Sequence, residues 1–353
     1  MRSARMPCEG PAVGVTCWGT APNALWSPWW YVQSIRGNEA FHLYIWVLKD
    51  LAWGSDYFIC GYIFAIGAVL WSAFLLVRAM KARNLPEIWT AVAQLGWLLA
   101  NTLWMLGELE DNAFPDKPRV YAIRQQQAGV LLIASLCWLS FFRLGLLVVP
   151  LSAVAALQPS PESIAAYDES GLEPSKFIFR LGFRRWRELE LLHLFFWLGK
   201  DTAWNLGLIG MWVAFAIPTV LLALDFCVKT LFLPGMVVEH AHMVAQLLWV
   251  GANLTWAAGE LFHTDNDVAA PLLRPPTAPV TLRWISVLLL FVAFLPLIAL
   301  HTHWLLCTYS GLVHVDDSKP GRDAVLLPDY VSVDTTVNPL ADIGVTARAL
   351  ETD

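Results

Sequence analysis

The chain has 353 residues, of which 57% are hydrophobic and 15% charged, with a mean hydropathy of +0.53. That balance excludes an ordinary soluble domain and places the chain in a bilayer. A formal net charge of −6, with no basic stripe, sets nucleic acid aside as a partner. Nineteen Trp supply interfacial anchors and π surfaces for cavities.

Residues 1–34 form a cytoplasmic N-terminal segment without the uninterrupted apolar run of a cleaved signal. Eight stretches of about 20 residues then reach the length that spans hydrocarbon. They run over Ile35–Ser55, Tyr57–Met80, Glu87–Leu109, Gln126–Val149, Leu189–Trp204, Gly207–Leu233, Glu239–His263 and Val280–Leu306. The first and fifth are the least apolar, because each contains a Lys-Asp pair. Pro86 and Pro234 precede the third and seventh, and Pro218 and Pro296 fall inside spans, where they should kink the helix.

These stretches divide the chain into a first four-helix unit (35–150), a polar linker (151–176) rich in Pro, Ser and Glu, a second unit (177–308) and a disordered cytoplasmic tail (309–353). The second unit opens with FIFRLGFRRWRE, whose Arg180, Arg184, Arg185 and Arg187 alternate with aromatics as in an interfacial helix. Basic residues gather on one side of the spans: Arg36, then Arg78, Lys81 and Arg83, then Arg180 to Arg187, and Lys229. Lys117, Arg119, Arg124, Arg274 and Arg283 lie opposite. The positive-inside rule therefore puts both termini in the cytoplasm, in a plasma membrane or endomembrane protein.

The two units align with each other. RGNEAFHLYIWVLKDLAW (Arg36 to Trp53) matches RELELLHLFFWLGKDTAW (Arg187 to Trp204) at nine of eighteen positions. VAQLGWLLANTLWMLGEL (Val92 to Leu109) matches VAQLLWVGANLTWAAGEL (Val244 to Leu261) at eleven of eighteen. The offsets, 187 − 36 = 151 and 244 − 92 = 152, are nearly equal, and the shared residues are polar and Trp rather than generic Leu and Val. This is the signature of an internal repeat. Four spans per unit is even, so both copies enter the membrane the same way. The expected fold is an all-α polytopic membrane protein, eight transmembrane helices as two parallel-orientation four-helix repeats.

Helical spacing gathers the shared residues into stripes. His42, Trp46, Lys49, Asp50 and Trp53 lie on the first helix, and Gln94, Trp97, Asn101, Trp104 and Glu108 on the third. His193, Trp197, Lys200, Asp201 and Trp204, with Gln246, Trp249, Asn253, Trp256 and Glu260, repeat them. Lys49 and Asp50 point about 100° apart and should not pair; Glu108 or Asp201 is the expected partner of Lys49. Small residues Ala93, Ala100 and Gly107 beside the stripe favour close helix approach. Each central charge costs about 2.5 to 3.5 kcal/mol unpaired in lipid, so all must be paired or wet.

Two functions satisfy that condition. One is a transporter or channel in which Trp faces and carboxylates hold a small polar or cationic solute, or relay protons. The other is a non-transporting scaffold or receptor subunit whose polar network is structural. A homo-oligomer or a larger membrane complex is compatible with either. His42 and His193 as axial haem ligands form a weaker pattern, and no cofactor is indicated. His240, His242, His301 and His303 lie near span ends and read as interfacial; Cys60, Cys137, Cys227 and Cys307 read as buried apolar residues, and no metal-ligand spacing occurs. No nucleotide loop, catalytic triad or HExxH points to an enzyme.

Overall fold

The computed structural model describes residue 31 and residues 35–114, 119–148, 186–232, 236–262 and 280–309. The linker, the Arg180 to Arg185 segment and the tail lie outside the described residues. Within them are eight helices: α1 (Ile35–Gly54), α2 (Phe58–Lys81), α3 (Leu85–Ala113), α4 (Arg119–Val148), α5 (Trp186–Asn205), α6 (Ile209–Leu231), α7 (Val237–Leu261) and α8 (Leu282–Tyr309).

The helix ends follow local chemistry. Asn84 caps α3 by accepting the Glu87 N–H at 3.4 Å, with Pro86 in the first turn where its missing N–H costs nothing. The α5–α6 turn places Gly207 at φ +68°. There its N–H donates to Trp204 O while the Leu208 N–H donates to Ala203 O. The α1–α2 turn makes the same two bonds from Asp56 and Tyr57 to Trp53 and Ala52, with Asp56 at φ 61°. Asp is among the few non-glycine residues that tolerate this conformation, and its carboxylate accepts from Asn112 at 3.1 Å. Helix α4 starts at Arg119, earlier than hydropathy indicates, because its first turns carry Arg124 and three Gln.

Every helix packs against its neighbours in sequence, and α8 returns to α1, so the eight close into a ring; α1 also meets α7, and α3 meets α5. Helices α1, α3, α5 and α7 come together inside through Trp46, Trp97, Trp197 and Trp249. Their contacts climb in the same order along all four, so they run parallel: Arg36 meets Glu190 and Glu239, Trp46 meets Trp197 and Trp249, and Trp53 meets Trp256.

The even-numbered helices cover this interior and turn apolar faces outward. Ile59, Ile63, Ile66 and Leu70 on α2 are exposed, as are Ile217, Leu221 and Val228 on α6 and Phe291, Leu295 and Ile298 on α8. Four segments, Phe58–Lys81, Tyr121–Phe142, Ile209–Leu231 and Leu282–Leu306, are long and apolar enough to cross a membrane, which marks an integral membrane protein. Cys60 and Cys137 are exposed on these faces and Cys227 half-buried, against the expectation of burial: on α2 and α4 the apolar surface faces outward, so apolar neighbours do not imply an interior position.

The two tightest approaches to a glycine lie at Gly199 and Gly96. A Cβ on Gly199 of α5 would lie 2.4 Å from the Phe215 ring of α6, and one on Gly96 of α3 would lie 2.3 Å from Ser135 Oγ of α4. Gly107 likewise lets α3 approach Arg124 of α4, the role expected of the small-residue stripe.

Candidate functional site

The interior is stacked in layers along the four parallel helices. At their N-terminal ends lies an ion-pair cluster. Arg36 on α1 is 8% exposed; it donates to both carboxylate oxygens of Glu190 on α5, at 2.8 Å through Nη1, and through Nε to Glu239 on α7 at 3.0 Å. Arg187 on α5 grips Glu87 on α3 with two bonds of 2.7 Å and Glu39 on α1 at 2.9 Å, and also reaches Glu190 at 3.0 Å. Each arginine thus holds the two glutamates that the self-alignment assigns to the opposite half. Arg36 and Arg187 are therefore not interfacial, nor is Trp186, which is 1% exposed. Basic residues at span ends are read as wet only because sequence does not show the carboxylates that enclose them. The signal was present: Arg36/Arg187 and Glu39/Glu190 are identities in the first aligned block, and Glu87/Glu239 keep the offset of the second.

Beside this cluster His242 is buried rather than interfacial. Its Nε2 lies 3.0 Å from the Tyr31 hydroxyl, which also meets Tyr44 OH at 3.1 Å, and Tyr44 in turn meets His301 Nδ1 at 3.2 Å. Burial pushes the Tyr31 hydroxyl up to about 12, keeping its proton available for donation. His240 bonds Thr230 Oγ1 at 3.1 Å.

One turn further in, His42 and His193 face a cavity of about 160 Å³. His42 Nε2 donates to Ala68 O at 3.1 Å, which leaves Nδ1 to accept from Gln94 Nε2 at 3.3 Å. His193 Nε2 likewise lies 2.8 Å from Thr219 O and its Nδ1 3.3 Å from Gln246 Nε2, but the Trp197 indole N–H also donates to that Nε2 at 2.9 Å, so its tautomer is not fixed as that of His42 is. Both ring nitrogens of each imidazole are engaged by protein, an arrangement that offers no lone pair to a haem iron. The cavity is bounded by the ion-pair cluster at one end and by Trp46 and Trp197 at the other, with Arg78 at its edge donating to Asn38 Oδ1 at 2.7 Å.

Its floor is a cluster of four indoles. All six pairs among Trp46, Trp97, Trp197 and Trp249 have ring centroids 5.1 to 6.5 Å apart. No family model, curated protein or solved structure matches this chain. The chemistry of these layers must therefore be read from their own geometry.

Beneath the floor the lysines are closed off. Lys49 and Lys200 are 3% and 2% exposed and outside the cavity lining. Contrary to the sequence expectation, each bonds the adjacent aspartate, Lys49 to Asp50 and Lys200 to Asp201. A 100° separation of Cα–Cβ directions does not forbid this, because four methylenes let the ammonium swing sideways. The crossing between halves is made by the other carboxylate oxygens. Asp50 Oδ2 accepts from Trp249 Nε1 and Asp201 Oδ2 from Trp97 Nε1, both at 2.7 Å. Asn253 adds a 3.4 Å contact to Asp50, whereas Asn101, among the described residues, bonds only Trp97 O at 3.1 Å.

A second Trp tier follows. Trp53, Trp104, Trp204 and Trp256 form a closed square with neighbouring centroids 4.8 to 5.9 Å apart. Trp53 donates to Glu108 at 2.9 Å and Trp204 to Glu260 at 2.8 Å. Here the halves differ. Arg283 of α8, counted from the sequence among the loop residues opposite the basic cluster, is buried against Glu108 and donates to Gly54 O at 3.3 Å, whereas Glu260 accepts, among the described residues, from the indoles of Trp204 and Trp256. The buried N–H groups of Trp46 and Trp104 meet no protein acceptor among the described residues. The predicted stripes are thus brought together but divided: His42, Gln94, Trp46 and their counterparts line the cavity, and the rest form packed layers.

Proposed function

We propose that this chain is an eight-span membrane protein of two parallel four-helix halves that moves a small polar or cationic solute, or protons, along the axis between them. The supporting observation is a cavity on that axis, lined by titratable and aromatic side chains from both halves and blocked by two tiers of Trp. The exchange of partners between halves supports the repeat, since Trp97 with Asp201 and Trp249 with Asp50 keep equal lengths. Helices α1, α3, α5 and α7 would cross the membrane shielded by the apolar even-numbered helices, which is how polar stripes avoid the cost of lipid contact. With the termini cytoplasmic, the cavity faces the cytoplasm and the Trp tiers are the barrier on its far side.

The test is flux in proteoliposomes. Trp46→Ala combined with Trp197→Ala should open the floor and raise leak of small cations, while Gln94→Leu should reduce uptake through the intact protein. The reading fails if neither the wild type nor the double variant moves any tested proton, cation or neutral solute faster than empty liposomes. The scaffold reading is favoured by one feature, the dry pairing of Lys49 with Asp50 and Lys200 with Asp201. On that reading Lys49→Met with Asp50→Leu changes stability and assembly and leaves nothing to lose in flux.

A further inference from the structure

The cavity's hydrogen-bonding chemistry narrows what it can hold. His42 donates Nε2–H to Ala68 O at 3.1 Å, so its Nδ1 is an acceptor. That acceptor engages the amide nitrogen of Gln94 at 3.3 Å, and the amide carbonyl must then point elsewhere. The Gln94 carbonyl oxygen has no protein partner among the described residues. In the other half the Trp197 N–H donates to His193 Nε2 at 2.9 Å, where Thr219 O also lies at 2.8 Å, so His193 Nδ1 is not restricted to accepting and Gln246 can present either end of its amide. One acceptor, from Gln94, is thus presented to the cavity.

Charge acts in the same direction. The lining contains four carboxylates (Glu39, Glu87, Glu190 and Glu239) against three guanidinium groups (Arg36, Arg78 and Arg187), an excess of one negative charge. The arginines are turned to protein acceptors, two of them to carboxylates. An anion entering here would meet surplus carboxylate and a carbonyl dipole. The floor is aromatic, supplied by Trp46 and Trp197, whose rings favour a flat, weakly hydrated cation. The volume of about 160 Å³ accommodates several waters and hence a small organic molecule.

We propose that the solute is a small guanidinium-type cation. Its single positive charge matches the excess, its planar face suits the indole floor, and an N–H donor satisfies the Gln94 carbonyl. This identification rests on the cavity being the solute site proposed above.

The test is calorimetric binding to the purified full chain in a non-ionic detergent, with methylguanidinium, n-propylammonium and tetramethylammonium at equal ionic strength. Methylguanidinium should bind at least tenfold more tightly than tetramethylammonium, which has the charge but no N–H, with n-propylammonium between them. Gln94→Leu should weaken methylguanidinium about tenfold and leave tetramethylammonium unchanged. The proposal is overturned if tetramethylammonium binds as tightly as methylguanidinium, or if none of the three binds; the wild-type ranking decides this even if a Leu variant does not fold. Binding in the predicted order without flux would remove the transport reading and leave this one standing. Flux of a solute that methylguanidinium does not inhibit, with no methylguanidinium binding, would do the reverse.

Discussion

Replacing Arg187 by Met removes at least five hydrogen bonds to three carboxylates in one step, but the three are not left equally exposed to the loss. Glu190 keeps the two bonds from Arg36, and Glu39 retains Arg36 at 3.8 Å. Glu87, with a side chain 7% exposed, has no other cation among the described residues. The cost is therefore that of one stranded buried carboxylate, about 3 to 5 kcal/mol, read by equilibrium unfolding in mixed micelles. Adding Glu87→Gln should recover most of it, because an apolar and neutral pair in place of a buried ion pair is close to neutral. Adding Glu39→Gln should recover much less. By the same logic Arg36→Met strands Glu239 and is rescued by Glu239→Gln. A loss below about 1 kcal/mol for Arg187→Met, or equal rescue by the two glutamines, would refute the partner assignment.

Four further outcomes follow from the inner layers and from the helix contacts around them. Glu108→Gln removes the carboxylate that Arg283 bonds directly and leaves it Glu260 at longer range, and should cost about 1 to 3 kcal/mol. The aligned Glu260→Gln removes a carboxylate whose hydrogen bonds come from two indoles and should cost under about 1 kcal/mol; equal losses would deny the asymmetry between halves. Trp97→Phe takes from Asp201 its donor across the halves and should cost about 1 to 3 kcal/mol, more than Trp249→Phe, because Asp50 keeps Asn253; a double-mutant cycle with the aspartate measures the coupling. Gly199→Ala drives a methyl into the Phe215 ring and should cost about 1 to 3 kcal/mol, restored by Phe215→Ala. Gly251→Ala in α7 meets nothing within 4 Å and should be neutral or stabilising in thermal unfolding.

Much of the interior was legible in the chain because helical periodicity converts spacing into facing. His42, Trp46, Lys49 and Trp53 recur every three or four residues, so they share one side of α1, and the self-alignment separates residues that face one another from those that face outward. The same alignment contained the ion-pair cluster, since Glu87 and Glu239 keep its offset, but hydropathy assigns any arginine near a span end to water. Partners were less accessible. A side chain's direction at its Cα does not determine where a lysine of four methylenes ends, so Lys49 was matched to distant carboxylates when Asp50 was within reach.

The sequence by itself determined that the chain is helical and membrane-bound, and which of the repeated polar and Trp residues of α1, α3, α5 and α7 turn inward, because those properties depend on composition and on 3.6-residue spacing. Only the tertiary structure decided which carboxylate each cation holds, that Arg283 bonds Glu108 rather than Glu260 directly, and that space remains beside His42 and His193 but not beside Lys49 and Lys200. Those outcomes depend on how eight helices are rotated and how closely they approach, and on the volume that side chains from different helices leave unfilled between them.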